Sequence, residues 1–82
     1  MAMQNRIIQM ISSVMEVKKT VAPAKLLVED LGFDSIMMVE LMGSVEDEFD
    51  VVITLDEVSR IKTVQHLLDA VAVRLPTTRQ AA

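Results

Sequence analysis

Three stretches of this chain repeat apolar residues every three or four positions, and that period is what most restricts its fold. Ile7, Met10/Ile11, Val14 and Val17 recur in this way between Gln4 and Lys19, with Ile8 and Met15 widening the stripe. Ile36, Val39, Met42, Val45 and Phe49 do so between Ser35 and Phe49, and Val64, Leu67/Leu68, Val71 and Leu75 between Val64 and Leu75. The spacing predicts three helices, each with one buried face. A fourth, shorter helix is expected after Thr54, because Thr54-x-x-Glu57 has capping-box spacing, and it should reach Ser59 or Arg60. Val51, Val52 and Ile53 are β-branched, but no partner strand is visible elsewhere, so they read as a buried extended connector. The expectation is an all-α, four-helix bundle with three main helices, one short helix and a long first loop.

Punctuation sets the boundaries. Lys18 and Lys19 fall in the last turn of the first helix, where cations complement the helix dipole. Pro23 disfavours helix at Ala22, and Gly32 ends a connection from Thr20 to Phe33. Leu26, Leu27, Val28 and Leu31 should press that loop onto the helices. Asp34 is a strong N-cap for the second helix and Thr63 for the last. Gly43, inside the second helix, costs up to about 1 kcal/mol relative to Ala, which reads as close packing against a neighbour. Pro76 stops the last helix, and the small polar residues after it should fray. One domain, residues 1–82, is expected, with an ordered core over residues 4–75.

Composition narrows the function. There is no cysteine, which excludes disulfides, thiolate metal sites and a cysteine nucleophile. Any thiol must arrive on a cofactor. Phe33 and Phe49 are the only aromatic residues, so the core is aliphatic, and seven methionines make parts of it adaptable. The net charge of -4, without a basic stripe, argues against nucleic acid and for basic partners. No apolar run is long enough to span a membrane, and no signal pattern opens the chain, which predicts a soluble cytoplasmic protein; a monomer is expected. His66 is the only histidine, with no second His or Cys for a metal site and no reason to join Ser35 in a triad. Asp30 and Asp34 lack the alternating ligands of a calcium loop. No metal and no enzyme activity are expected.

The informative segment is Asp30-Leu31-Gly32-Phe33-Asp34-Ser35-Ile36, followed by Met37-Met38-Val39-Glu40-Leu41. It presents a hydroxyl at the start of a helix, beside a carboxylate and after a glycine turn. A phosphate ester on Ser35 would meet free N–H groups and the positive end of the dipole. The segment resembles the D-L-G-x-D-S-L run and later V-E-L run of the acyl carrier protein family. The resemblance continues through the acidic end of the second helix to Lys62-Thr63-Val64 at the start of the last.

That resemblance implies a bundle of acyl-carrier type and a non-catalytic carrier. Ser35 would bear 4'-phosphopantetheine, transferred from coenzyme A by a phosphopantetheinyl transferase, with Asp34 as the N-cap beside it. Acyl groups would ride as thioesters to acyltransferases, ketosynthases or other acyl-processing enzymes with basic docking patches. Docking is expected on Asp34, Ile36, Met37, Glu40 and Glu46, with Asp47 and Glu48 behind them. Leu31, Ile36, Val39, Met42, Ile53 and Ile61 are the expected lining of an acyl groove. With Ile36 and Val39 inward, at least one of Met37 and Met38, the former by preference, should be exposed. That surface, more apolar than expected for fatty-acid synthesis, suggests polyketide or related pathways. The competing expectation is an unmodified acidic helical module that binds a basic partner.

Overall fold

The computed structural model describes residues 2–74, in four helices: α1 (Ala2–Val14), α2 (Ser35–Phe49), α3 (Leu55–Arg60) and α4 (Val64–Ala72). No strand forms among these residues; Leu26 and Thr63 make one isolated antiparallel bridge. The expected helix order and long first loop are present. Leu75, Pro76 and the tail lie outside the described residues.

Helices α2, α3 and α4 each start where a cap satisfies free N–H groups. Asp34 Oδ1 accepts from the Met37 amide at 2.9 Å. Thr54 and Glu57 form a full capping box, with the Glu57 amide donating to Thr54 Oγ1 at 3.2 Å and the Thr54 amide to Glu57 Oε1 at 3.1 Å. Thr63 and His66 form another: the His66 amide donates to Thr63 Oγ1, and His66 Nδ1 accepts the Thr63 and Lys62 amides. α2 ends at Asp50 in the left-handed region (φ 55°), its amide returning to the Glu46 carbonyl, a conformation Asp tolerates better than most residues.

Helix α1 stops at Val14, short of the expected Lys19. Ser13 Oγ bonds back to the Gln9 carbonyl, which weakens a helix end. Lys18 then doubles back from the following loop to donate to the Ser12 and Met15 carbonyls, satisfying orphan acceptors from outside the helix. Val17, expected inward, is exposed, while Met15 is buried.

One core joins all parts: Ile7, Met10 and Ile11 from α1 and Met15 just after it, Leu41, Met42 and Val45 from α2, and Val64, Leu67, Leu68 and Val71 from α4. Leu27, Leu31 and Phe33 plug it from the first loop, and Val51 and Ile53 from the connector, where Val52 points outward. The loop has structure of its own. The Asp30 and Gly32 amides close helical turns onto Leu26 and Val28, and Asp30 Oδ2 accepts from the Leu26 amide at 2.8 Å. Of Leu26, Leu27, Val28 and Leu31, Val28 alone faces solvent.

The buried stripe of α2 is rotated from the expected one. Met38, Leu41, Met42, Val45 and Phe49 pack inward, whereas Ile36 and Val39 are 71% and 69% exposed. At about 100° per residue the first five share an arc of roughly 100°, and Ile36 falls on the far side. Met42, Val45 and Phe49 belong to both stripes; the difference lies at Ile36 and Val39. Gly43 is also not a close approach: a Cβ built there meets nothing within 4 Å.

Arg74 ties three pieces together. Its side chain donates to the Ala70 carbonyl of α4 at 2.7 Å and to the Val52 carbonyl of the connector at 2.9 Å, and it pairs with Glu57 of α3.

Candidate functional site at the start of helix two

The turn that delivers the site runs through Gly32, whose φ of +78° lies where glycine is unstrained. A Cβ there would touch nothing, so the requirement is conformational rather than steric. Phe33 follows, buried at 2% exposure, and its amide donates to the Leu27 carbonyl at 2.9 Å. With Phe33 locked into the core, Asp34 and Ser35 are held outside it, and both side chains are exposed. Ser35 is the first residue of α2, where free N–H groups and the dipole favour an anion.

Beside Ser35 opens a mostly apolar cavity of about 580 Å³. Phe33, Met38, Val39, Val58 and Ile61 form most of its walls, and Asp34, Ser35, Ser59 and Lys62 its polar edge. A smaller depression of about 230 Å³ shares Val39 and Val58 and adds Met42, Ile53 and Leu55. Of the residues expected to line a groove, Val39 and Ile61 border the cavity at Ser35, while Met42 and Ile53 border its neighbour. Leu31 does not belong. It faces a separate depression with Glu16, Val17, Lys19 and Met37, because the turn at Gly32 sends Leu31 and Phe33 to different sides. Ile36 lines neither and faces solvent.

The expected docking residues separate in the same way. Ile36, Glu40 and Asp47 are exposed. Met37 is half-buried and packs against the core, as does Met38, so the exposed apolar side chains of this face are Ile36 and Val39 instead. Glu46 is half-buried and accepts the Ile53 amide at 3.0 Å. Glu48 pairs with Arg6 of α1 at 3.0 Å. The Arg6 hydrogen bond, opposed by partial burial and aided by the charge, holds the Glu48 carboxyl below the usual carboxylate range. The acidic end of α2 is thus partly committed to the protein's own framework.

Comparison with known proteins decides the family. A sequence family described as the phosphopantetheine attachment site matches residues 5–71. The chain belongs to the acyl carrier protein family. An acyl carrier protein of Syntrophobacter fumaroxidans is 38% identical over 72 residues, covering 87% of this chain and 89% of the relative. One of Syntrophus aciditrophicus is 33% identical over 75 residues, covering 90% and 94%. Among solved structures, an acyl carrier protein from Mycobacterium tuberculosis superposes with a TM-score of 0.82 at 35% identity, covering 87% of this chain and 96% of the other. One from Thermotoga maritima gives 0.70 at 30% identity, covering 88% and 89%.

Proteins of the acyl carrier family are carriers rather than catalysts. They bear phosphopantetheine, are modified by a phosphopantetheinyl transferase and work with acyl-processing enzymes. Membership displaces the unmodified-adaptor expectation. Among the described residues no helix is long and apolar enough to cross a membrane. Sequence reasoning missed Val28, Phe33, Met38, Val58, Ser59 and Lys62 at the cavity. Met38 lies off the expected stripe of α2, and the other five come together only through tertiary contact. The capping role of His66 was legible as Thr63-x-x-His66, box spacing with an imidazole in place of the usual carboxylate.

Proposed function

We propose that Ser35 is the residue that carries the phosphopantetheine arm, and that the cavity beside it shelters part of the acyl cargo. The observation that carries this reading is the placement of one exposed hydroxyl, at the positive end of α2, on the rim of a mostly apolar cavity of about 580 Å³. The residues present suit the group. Free N–H groups of the first turn of α2 face a phosphodiester on Ser35, and Met38, Val39, Val58 and Ile61 offer apolar wall to an acyl chain. When bound, the arm supplies the thiol that a chain without cysteine lacks, and holds acyl groups as thioesters. In loading, the Ser35 Oγ–phosphorus bond forms and the pyrophosphate link of coenzyme A breaks. Adenosine bisphosphate leaves, and the hydroxyl proton passes to a base of the transferase.

Docking is assigned to the face formed by Ile36, Val39, Glu40 and Asp47, beside Ser35, where exposed apolar side chains lie among carboxylates. Acyltransferases and ketosynthases with basic patches are suited to it, with charge speeding encounter and the modest apolar contact permitting release. The pathway is of polyketide or fatty-acid type.

Intact mass after incubation with a broad-specificity transferase and coenzyme A tests the attachment. A gain of one phosphopantetheine is expected in the wild type and none in a folded Ser35→Ala variant. A folded wild type that stays unmodified, or a variant that gains the same mass, overturns the assignment.

A further inference from the structure

Lys62 lines the same cavity as Ser35 but comes from a different segment, the connection between α3 and α4. Its backbone is pinned on both sides: its amide donates to His66 Nδ1 at 3.0 Å, and its carbonyl accepts the Leu27 amide at 2.9 Å. Leu27 in turn accepts the Phe33 amide, so a short run of hydrogen bonds fixes the root of Lys62 relative to the turn that presents Ser35. Its side chain is exposed, and among the described residues no carboxylate pairs with it. The position is also locally unfavourable for a cation. Lys62 immediately precedes the N-cap Thr63 of α4, where the helix dipole disfavours positive charge. Asp34, the carboxylate at the cavity edge, already spends one oxygen on the Met37 amide.

Loading Ser35 places a phosphodiester anion at the edge of this cavity, which Asp34 and Lys62 also line. We infer that Lys62 is the counter-ion of that phosphodiester: its ammonium pairs with the phosphate oxygens and turns the first part of the arm over the cavity rather than into solvent. The inference rests on Ser35 as the attachment residue. Lys62 is a positioning residue here; it takes no part in forming or breaking the phosphate ester.

The test compares unloaded and loaded protein for wild type, Lys62→Gln and Lys62→Arg, with Lys25→Gln as a charge-matched control. Intact mass first establishes loading. The phosphorus resonance of the phosphodiester and the change in melting temperature on loading are then recorded at low and high salt. The expected result is a phosphorus shift on Lys62→Gln, with a less favourable change in melting temperature on loading. Lys62→Arg should restore both, Lys25→Gln should leave both unchanged, and high salt should erase the difference. Fully loaded Lys62→Gln indistinguishable from wild type in both readouts overturns the pairing while leaving the attachment intact. Equal effects from Lys25→Gln also overturn it, since net charge then suffices. Failure of the wild type to load removes the attachment reading, and this inference with it.

Discussion

Replacing Gly43 with Ala should make this protein more stable. Gly43 is the ninth of the fifteen residues of α2, well inside the helix. Its side-chain direction opens on empty space, since a Cβ meets no atom within 4 Å. No steric term therefore offsets the gain in helix propensity, about 0.8–1 kcal/mol for Gly to Ala in a helix interior. Part of that gain comes from a less flexible unfolded chain. For a domain of this size, 1 kcal/mol corresponds to about 4–8 °C in melting temperature. Thermal melts followed by far-ultraviolet circular dichroism should show a rise of that order, and Ser44→Ala, on the adjacent exposed position, a smaller one. Loading of Ser35 should be unaffected. A Gly43→Ala melting temperature equal to or below wild type would mean that a neighbour does pack closely here, and would refute the reasoning.

Two further perturbations probe the framework of the site. Asp34→Ala removes the side-chain acceptor of the Met37 amide and should cost about 1 kcal/mol, while Asp34→Asn keeps a capping oxygen and should lie near wild type. Equal losses in denaturant melts would show that the charge, not the cap, is what matters. The Arg6–Glu48 pair should contribute to stability only while Glu48 is ionised. Its carboxyl is held below the ordinary 4.5 chiefly by the Arg6 hydrogen bond, so the folded state binds its proton less readily than the unfolded state. The contribution is then present above the ordinary carboxylate range and lost as pH falls through the depressed folded value. Arg6→Gln should differ from wild type at neutral pH and low salt, and converge with it in acid; a difference that persists unchanged in acid refutes the assignment.

The starts of α2, α3 and α4 were legible because each is written locally. Asp34, Thr54 and Thr63 stand one residue before their helices, and a cap acts through atoms three residues away. The end of α1 was not, since it depends on Lys18 folding back from a loop that has already left the helix axis. The face of α2 was half legible. Leu41 and Met38 were passed over for Ile36 and Val39, and only packing against α1 and the loop decides between apolar residues on adjoining arcs of one helix. The first loop was correctly read as pressed onto the core. The Asp30 carboxylate that closes its turn and the Leu26–Thr63 bridge pair residues whose nearness is a result of the fold, not of local spacing. Ser35 stood out in the sequence, whereas the cavity beside it did not: Phe33, Val58 and Lys62 come from three separate segments.

The rotated stripe of α2 also changes what its methionines do. The exposed apolar pair is Ile36 and Val39, and both fall inside runs that resemble the family's own pattern, so an apolar docking face does not set this chain apart from its relatives. Met37 and Met38, which were read as the departure from fatty-acid carriers, are half-buried against the core. Their consequence moves from the surface to the interior. Met38 lines the cavity next to Ser35, and Met42 the depression that adjoins it through Val39 and Val58. Unbranched thioether side chains re-pack at lower cost than the Leu or Ile that could fill the same space. Met38 thus gives the cavity a deformable wall, while Val58, Ser59, Ile61 and Lys62 line it from the segment bounded by the Thr54–Glu57 and Thr63–His66 boxes. On the proposed attachment at Ser35, tolerance for different acyl chains would come from these methionines, and the position of the arm from the capped segment that faces them.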